Sequence, residues 1–228
     1  MRLHRQGSNT VFDRDATFVE YVLCETEKVH ARVRRYMSPE ELPFFPGFLP
    51  APLLPPLDFP QILAPNSVNI NDTLLKRYVA EVVPAICGAG DDEQHGSSVL
   101  CDINALQALS RRVHFGKFVA ESKFQEDGDL YRNLCSEGNA RGVNELLTNK
   151  AVEKKVIERA LNKATAYAQE ITWEGAAGSR FKVRPEAISA IYKDIIIPLT
   201  KDVEILYLFQ RTGYTCPSLA GIHDSEGQ

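Results

Sequence analysis

The sequence predicts an all-α protein with several helices, one long central helix and a proline-rich extended segment. Three observations predict this class. Apolar residues recur at helical spacing in successive segments. Nine of the thirteen prolines lie between Pro39 and Pro65. No two segments alternate apolar and polar residues as paired strands do. With 228 residues and 44% apolar content, the chain can build a substantial core in one large domain or two small ones.

The first predicted helix spans residues 17–35, whereas residues 1–14 show no periodicity. Its proposed apolar stripe consists of Phe18, Val22, Val29 and Val33. A basic cluster, Arg32, Arg34 and Arg35, closes the segment. Cations in a last turn are favourable against the helix dipole, so this cluster needs no ligand to explain it. A ligand-binding role stays open at this point.

The proline-rich segment, residues 39–65, cannot be helical because proline lacks the backbone donor and clashes with the preceding turn. It is too apolar for a flexible linker. The interleaved apolar residues are Phe44, Phe45, Phe48, Leu53, Leu54 and Phe59. We interpret it as an extended strap across helices. The alternative, a proline-rich ligand for a partner domain, is disfavoured by the many aromatic residues.

Further helices are predicted over residues 71–86, with Asn69 or Asn71 as cap, and over residues 98–125. Shorter helices at 130–134 and 141–147 flank Gly138, and another spans 149–169. The loop at 172–183 contains glycine and serine and is predicted to be mobile.

The last helix is predicted to run from Pro185, a favourable first-turn residue, to about Arg211, with a kink at Pro198. Its apolar stripe consists of Ile188, Ile191, Ile195, Leu199, Val203 and Leu206. The tail after it has no helical pattern, and we expect it to be disordered.

The long central helix carries two cations, Arg112 and Lys123, eleven residues apart. Eleven residues make about three turns, so both lie on nearly the same stripe, about 16 Å apart along the axis. Its apolar positions are Leu106, Leu109, Val113, Phe115, Phe118, Val119 and Phe124. Two long cations on one face can clamp an acidic ligand between them. The alternative is a solvated basic stripe.

Composition excludes several classes of function. A net charge of −4 argues against a nucleic-acid or anionic membrane surface, and no apolar run approaches the length of a membrane span. Five scattered cysteines without a CxxC pair indicate reduced thiols in a cytosol-like compartment. The acidic loop around Asp91, Asp92, Glu93 and His95 fits neither calcium nor zinc spacing, so we expect no metal site.

Three segments carry a resemblance to a known family. They are SRRVHFGKFVAESKF at 110–124, ETEKVHARVRRYMSPEELPFFP at 25–46 and IIIPLTKDVEILYLFQR at 195–211. In their order and spacing along the chain, these segments resemble the all-helical chorismate mutases of fungi and plants. The resemblance implies the multi-helix chorismate mutase fold over residues 16–211, after a non-matching segment 1–15 and before the tail 212–228. It also implies an isomerase that converts chorismate to prephenate in phenylalanine and tyrosine biosynthesis, without a cofactor.

The resemblance also implies the site residues: Arg112, Lys123, Asn149, Glu153, Thr200 and Glu204. Arg112 would grip the ring carboxylate with help from Thr200. Lys123 would contact the second carboxylate and the ether oxygen. Asn149 and Glu153 would receive the ring hydroxyl and position Lys123. Glu204 would donate a proton toward the ether oxygen, which requires a raised pKa.

Regulation is implied in the same way. Family members form homodimers with tyrosine and tryptophan as effectors, and Arg34, Arg35, Gly96 and Ser97 match their effector residues. Leu100 stands where regulated members often have a threonine. The family's first helix and its arginine have no match here, because Arg2 and Arg5 lie in a different context. The alternative function is therefore an impaired, chorismate-mutase-like regulatory or interaction protein. We expect a cytoplasmic location, with a plastid also open.

Overall fold

The structure, a computed structural model, describes residues 16–91, 93–169 and 181–222, and this part of the chain is all-helical. Its helices are α1 (Phe18–Arg32), α2 (residues 71–86), α3 (His95–His114), α4 (Gly116–Glu126), α5 (Gly128–Ser136), α6 (Ala140–Leu147), α7 (Lys150–Tyr167) and α8 (residues 185–212). The all-α prediction is confirmed. None of these helices is both long and apolar enough to cross a membrane.

Helix α1 begins with a capping box, in which Thr17 and Glu20 each bind the other's backbone N–H. The helix is where the sequence placed it, and Phe18 and Val22 of the predicted apolar stripe pack against the core, but the assignment of Val29 and Val33 was wrong. Val29 and Val33 are 60% and 58% exposed. The buried stripe lies beside them and repeats every four residues; it consists of Val19, Leu23, Glu27 and Ala31.

The buried Glu27 explains why a charged residue lies in that stripe. Its two carboxylate oxygens accept hydrogen bonds from the backbone N–H groups of Phe44 and Phe45, at 2.8 and 2.9 Å. These N–H groups belong to the proline-rich segment, which has no secondary-structure ladder to satisfy them. Glu27 thus fastens the first end of the strap to α1.

Buried side chains of other helices fasten both ends of the strap. Asn71 donates to the carbonyls of Leu42 and Pro43 at 3.0 Å. At the second end, Ala64 N–H donates to the Tyr207 hydroxyl at 2.9 Å. Just beyond the strap, Ile70 N–H donates to His114 Nε2 at 3.1 Å. The interpretation as a strap across helices is confirmed at these ends, whereas residues 51–62 between them are exposed. Several apolar residues of the strap are therefore uncovered, namely Phe48, Leu53, Leu54, Leu57, Phe59 and Ile62.

Helices α2 and α8 each contain a π-helical segment, at Tyr78–Val82 and Tyr192–Ile196. In both helices a proline, Pro84 or Pro198, stands two residues after that segment. The sequence predicts a kink at Pro198. The irregularity that the structure shows in α8 is the π-helical segment, which ends two residues before this proline. Since Pro198 has no N–H for the carbonyl of Asp194, Arg77 of α2 donates to that carbonyl instead, at 3.0 Å.

The predicted central helix is present as two helices, α3 and α4, separated at Phe115. Leu106, Val113 and Phe124 are buried as expected, but Phe115 and Val119 are 46% and 48% exposed. These two residues were wrongly assigned to the apolar face. They lie between Arg112 and Lys123 on the same stripe, where Arg112, Phe115 and Val119 are exposed and Gly116 is buried.

Helix α8 lies at the centre of the core. Its predicted apolar stripe is confirmed. Residues on its other sides are buried as well: Lys201, Glu204, Ile205, Tyr207, Leu208 and Phe209. Between α5 and α6, Gly138 has φ +68°, a conformation that glycine adopts readily. The predicted mobile loop lies mostly outside the described residues. Beyond α8, Ile222 is 7% exposed and packs in the core. The expectation of a disordered tail over residues 212–228 stays a prediction, and residues 223–228 lie outside the described residues.

Candidate active site

The two cations of the predicted clamp are on the exposed stripe of α3 and α4. Arg112 makes no hydrogen bond or ion pair with the described residues, although its charge acts on Glu204. Lys123 pairs with Glu126 at 3.2 Å, and their side chains are 44% and 64% exposed. Such an exposed pair contributes little to stability and exchanges easily for another anion. Both cations are therefore available to an acidic ligand.

Glu204 of α8 is the buried acid of the site, with 7% of its surface exposed. Burial raises the pKa of the Glu204 carboxyl to about 8. Lys201, Arg112 and Lys123 oppose this rise in pKa, and Glu153 supports it. Residues of four helices thus act on one carboxyl, which is mostly protonated at pH 7 and can donate a hydrogen bond.

Lys201 is a site residue that the sequence analysis missed. Its ammonium pairs with Glu153 of α7 at 2.9 Å, and the two side chains are only 8% and 20% exposed. A carboxylate and an ammonium that are both shielded from water must pair, because a buried charge without a partner would destabilise the fold. Lys201 stands three residues before Glu204, and this spacing on a helix is the signal that could have found it.

Thr200 and Glu204 lie on one face of α8, as their spacing predicts, and both approach Gly116 of α4. The Thr200 hydroxyl donates to the Ile196 carbonyl at 2.6 Å. Asn149 is the N-cap of α7, where its Oδ1 accepts from Val152 N–H at 3.1 Å. A cap of this kind uses the amide oxygen and leaves the amide N–H groups as donors.

Glu153 contacts Lys201, while the ion pair of Lys123 is with Glu126. The expectation that Glu153 and Asn149 position Lys123 therefore stays a prediction. The part of the chain that the structure describes holds no group of three or more histidine, cysteine or acidic side chains able to bind a metal ion. The chemistry this arrangement supports is binding of an anion with several acidic groups, next to a neutral acid that can donate a proton.

The four predicted effector residues are not in one place within a chain. Arg35 donates to Gln107 of α3 at 2.8 Å. Gln107 lies ten residues after Ser97, which is about 15 Å along the helix axis. Arg34 has φ 69°, an uncommon conformation for a residue with a side chain, and it donates to the Pro55 carbonyl at 2.7 Å. Within a single chain, Arg34 and Arg35 are therefore separate from Gly96 and Ser97.

Comparison with known proteins identifies the family. The family model described as chorismate mutase type II matches residues 97–205. A chorismate mutase of Emericella nidulans is 44% identical over 213 residues, which are 90% of this chain and 79% of that protein. The chorismate mutase of Saccharomyces cerevisiae is 45% identical over 199 residues, covering 86% of this chain and 77% of that one.

Solved structures agree with this result. A chorismate mutase from Candida albicans, crystallised with L-Trp, has a TM-score of 0.86 and 44% identity; the match covers 93% of this chain and 81% of the other. The chloroplast enzyme of Zea mays has a TM-score of 0.84 and 39% identity, with 94% and 84% covered. All of these relatives are named as the enzyme, which favours it over the regulatory alternative. By sequence and by fold, the chain belongs to the chorismate mutase family.

Proposed function

We propose that this chain converts chorismate to prephenate by a pericyclic rearrangement, and that the site described above performs it. The observation that carries this proposal is the buried Glu204 carboxyl, 7% exposed, next to the Lys201–Glu153 pair and within the field of Arg112 and Lys123. Chorismate is a dianion, and its C–O bond stretches in the transition state. A cationic site with one neutral acid binds the two negative charges of chorismate and stabilises the charge that develops on the oxygen of the stretched C–O bond.

Each cation has a separate task in this proposal. Arg112, which has no partner among the described residues, binds the ring carboxylate through its planar fork, next to Thr200. Lys123 exchanges Glu126 for the second carboxylate and the ether oxygen. Holding both carboxylates brings the reacting carbons into a compact near-attack geometry, which is the main demand of a reaction without a covalent intermediate.

The two acids receive different roles because their surroundings differ. Glu153 pairs with Lys201 at 2.9 Å and accepts a hydrogen bond from the ring hydroxyl, while the amide N–H of Asn149 donates one to it. Glu204 is kept neutral by burial and donates to the ether oxygen, where negative charge grows. An ionised Glu204 would repel that charge. Activity therefore falls as pH rises through about 8, the pKa of Glu204.

A direct assay tests the proposal. The purified chain is incubated with chorismate, and the loss of chorismate absorbance is followed beside an Arg112→Ala variant. We expect turnover by the wild type and a loss of about 100-fold or more in kcat/KM for the variant. The control is Arg111→Ala, since Arg111 is bonded to Glu41 rather than to the site. A folded wild-type chain without turnover would contradict the proposal, as would an unaffected Arg112→Ala.

Regulation by aromatic amino acids is the second part of the proposal. Relatives crystallised with L-Trp, or with tyrosine or phenylalanine in the allosteric site, support such effectors. We propose a homodimer in which Arg34 and Arg35 of one chain face Gly96 and Ser97 of the other. The separation of these pairs within a chain and the exposed Val29, Val33 and Leu100 favour a second copy.

Two measurements test this assembly. Sedimentation equilibrium measures the mass, and the chorismate assay is repeated with tyrosine or tryptophan. We expect a dimer whose response to an effector is lost in Arg34→Ala while its basal activity remains. A monomer that still responds to effectors would contradict the shared site.

A further inference from the structure

Gly116 is the one glycine between Leu106 and Phe124, and it stands on the site's own stripe. It lies four residues after Arg112 and seven before Lys123, so it shares their side of the helix pair. It is also the first residue of α4, and its φ is not positive. Backbone freedom therefore does not explain a glycine at this position.

Helix propensity also fails to explain Gly116. Glycine is less favourable than alanine within a helix by up to about 1 kcal/mol. Something other than the local conformation must therefore offset this disadvantage, and the packing of α8 on α4 provides it.

Helix α8 approaches α4 so closely at Gly116 that a side chain has no room. A Cβ built there would lie 2.9 Å from the Thr200 carbonyl oxygen, 3.0 Å from Glu204 Cγ and 3.2 Å from Thr200 Cγ2. Carbon atoms in optimal contact are about 3.5–4.0 Å apart. A methyl group would thus require a movement of about half an ångström, and all three contacts are with the proposed site residues Thr200 and Glu204.

We infer that Gly116 is a positioning residue of the active site: its missing side chain sets how closely Thr200 and Glu204 approach the Arg112–Lys123 stripe. This inference rests on the proposed function for the identity of the reaction. The substrate must touch cations on α3 and α4 and the acid on α8 together, so the distance between these helices is part of the site's geometry.

The backbone of α8 cannot simply move away from a larger residue. Val203, Ile205 and Leu208 are completely buried, so a shift of α8 would disturb the core on its other sides. The 2.9 Å contact with the Thr200 carbonyl oxygen involves the backbone, so Gly116→Ala must also strain α4 against α8 at this point. The contact with Cγ is relieved by rotation of the Glu204 side chain away from its present place. That place is defined by Lys201 on α8, Glu153 on α7, Arg112 on α3, Lys123 on α4 and Tyr131 on α5.

The test is Gly116→Ala, with Gly128→Ala as the matched control. Gly128 is also the first residue of a helix, but a Cβ there would meet Phe124 at 3.4 Å and Arg132 Nη1 at 3.6 Å, both ordinary contacts. We expect Gly116→Ala to remain folded, to lose about 10- to 100-fold in kcat, and to lose activity at a lower pH than the wild type, because a displaced Glu204 is better hydrated. Gly128→Ala should differ from the wild type by less than about twofold.

Two further readouts separate positioning from packing. In a Glu204→Gln background Gly116→Ala should still lower kcat, because glutamine has the same Cγ, but it should no longer change the pH profile, since no carboxyl titrates there. The drop in unfolding free energy between pH 6 and pH 9 should also be smaller in Gly116→Ala, and this readout does not need the reaction. An inactive wild type would thus refute the proposed function while this stability difference still tests Gly116.

Three outcomes would overturn the inference. One is a kcat and a pH profile of Gly116→Ala within about twofold of the wild type. Another is a loss of kcat with an unchanged pH profile. The third is failure of Gly116→Ala to fold when Gly128→Ala folds normally, which would make Gly116 a determinant of the fold and not of the site.

Discussion

Two faces of the same helix pair, α3 and α4, carry polar side chains and use them in opposite ways. The first is a buried stripe, which we call the strap face because the Ser110 hydroxyl donates to the Leu42 carbonyl of the strap at 3.4 Å. It is at most 5% exposed and consists of Ser110, His114, Lys117 and Glu121. On the site-facing stripe, Arg112 and the Lys123 side chain are exposed, while Gly116 between them packs against α8. On the first face, most polar groups are bonded within the chain; on the second, a cation is left for a ligand. The difference separates the polar residues that stabilise the fold from those proposed to bind substrate.

His114 shows how complete the bonding on the strap face is. Its Nε2 accepts from Ile70 N–H, so the proton is on Nδ1, which donates to the Ser110 carbonyl at 2.8 Å. Burial lowers the pKa of His114 to about 4, and the ring is neutral at pH 7. Lys117 is the exception on this face: it has no ion pair with the described residues, and burial lowers its pKa to about 8.

The largest expected effect on stability comes from breaking the strap face. His114→Ala leaves Ile70 N–H without its acceptor and opens a cavity, so we expect a loss of about 3–4 kcal/mol in the free energy of unfolding. Activity of the folded fraction should change by less than about threefold. Arg112→Ala, two residues away, should reduce activity strongly and leave the free energy of unfolding nearly unchanged. Urea denaturation and the chorismate assay, applied to both variants, check the comparison; equal losses of stability would contradict it.

The second prediction concerns Glu204, the proposed site acid that is buried on α8. Its pKa is about 8 when folded and near the ordinary 4.5 when unfolded, so the folded state holds the extra proton. Stability is therefore highest at low pH and is lost as pH rises through this window. Between pH 6 and pH 9 the wild type should lose about 3 kcal/mol relative to Glu204→Gln.

Urea denaturation at both pH values measures this difference. The comparison within one protein cancels the titration of all other groups, because the two variants differ at one residue. Parallel pH dependence of the two proteins would place the pKa of Glu204 near its ordinary value and remove its proton from the proposed mechanism.

A smaller effect is expected on the activity profile. One pH unit above a pKa of about 8, only about a tenth of Glu204 remains protonated, so the wild type should be about tenfold less active at pH 9 than at its plateau. Glutamine is a donor at every pH, and Glu204→Gln should keep its activity between pH 6 and pH 9. Rates of chorismate loss at saturating substrate decide this, and a variant that still loses activity in step with the wild type would exclude Glu204 as the titrating group.

Periodicity predicted most of the helices, because a helix that buries one face must repeat its apolar residues. It failed where burial and apolarity separate. In α1 the buried stripe includes Glu27, which is stabilised by backbone donors of the strap, a contact with residues seventeen or more positions away. Phe115 and Val119 failed for the converse reason, since they are apolar but lie on the site face.

The site residues came from the resemblance of three segments, and no spacing rule would have selected them. Lys201 escaped because its role depends on Glu153, on another helix. Gly116 escaped because its importance is the distance to α8, which exists only after the helices pack. Sequence patterns record which face a residue occupies, whereas these two roles depend on what lies opposite.

The smallest effect is expected at Arg77, a structural arginine that contrasts with Arg112. It donates to the Asp194 carbonyl that Pro198 leaves free and also pairs with Glu81 at 2.7 Å. Arg77→Met should cost about 1 kcal/mol of stability, mostly from the lost bond to this carbonyl, and should leave kcat unchanged. Glu81→Gln removes only the exposed pair, so we expect less than about half of that cost. Equal losses in the two variants, measured by urea denaturation, would mean that the carbonyl gains nothing from Arg77. The contrast between an arginine satisfied within the fold and one left for substrate would then rest on Arg112 alone.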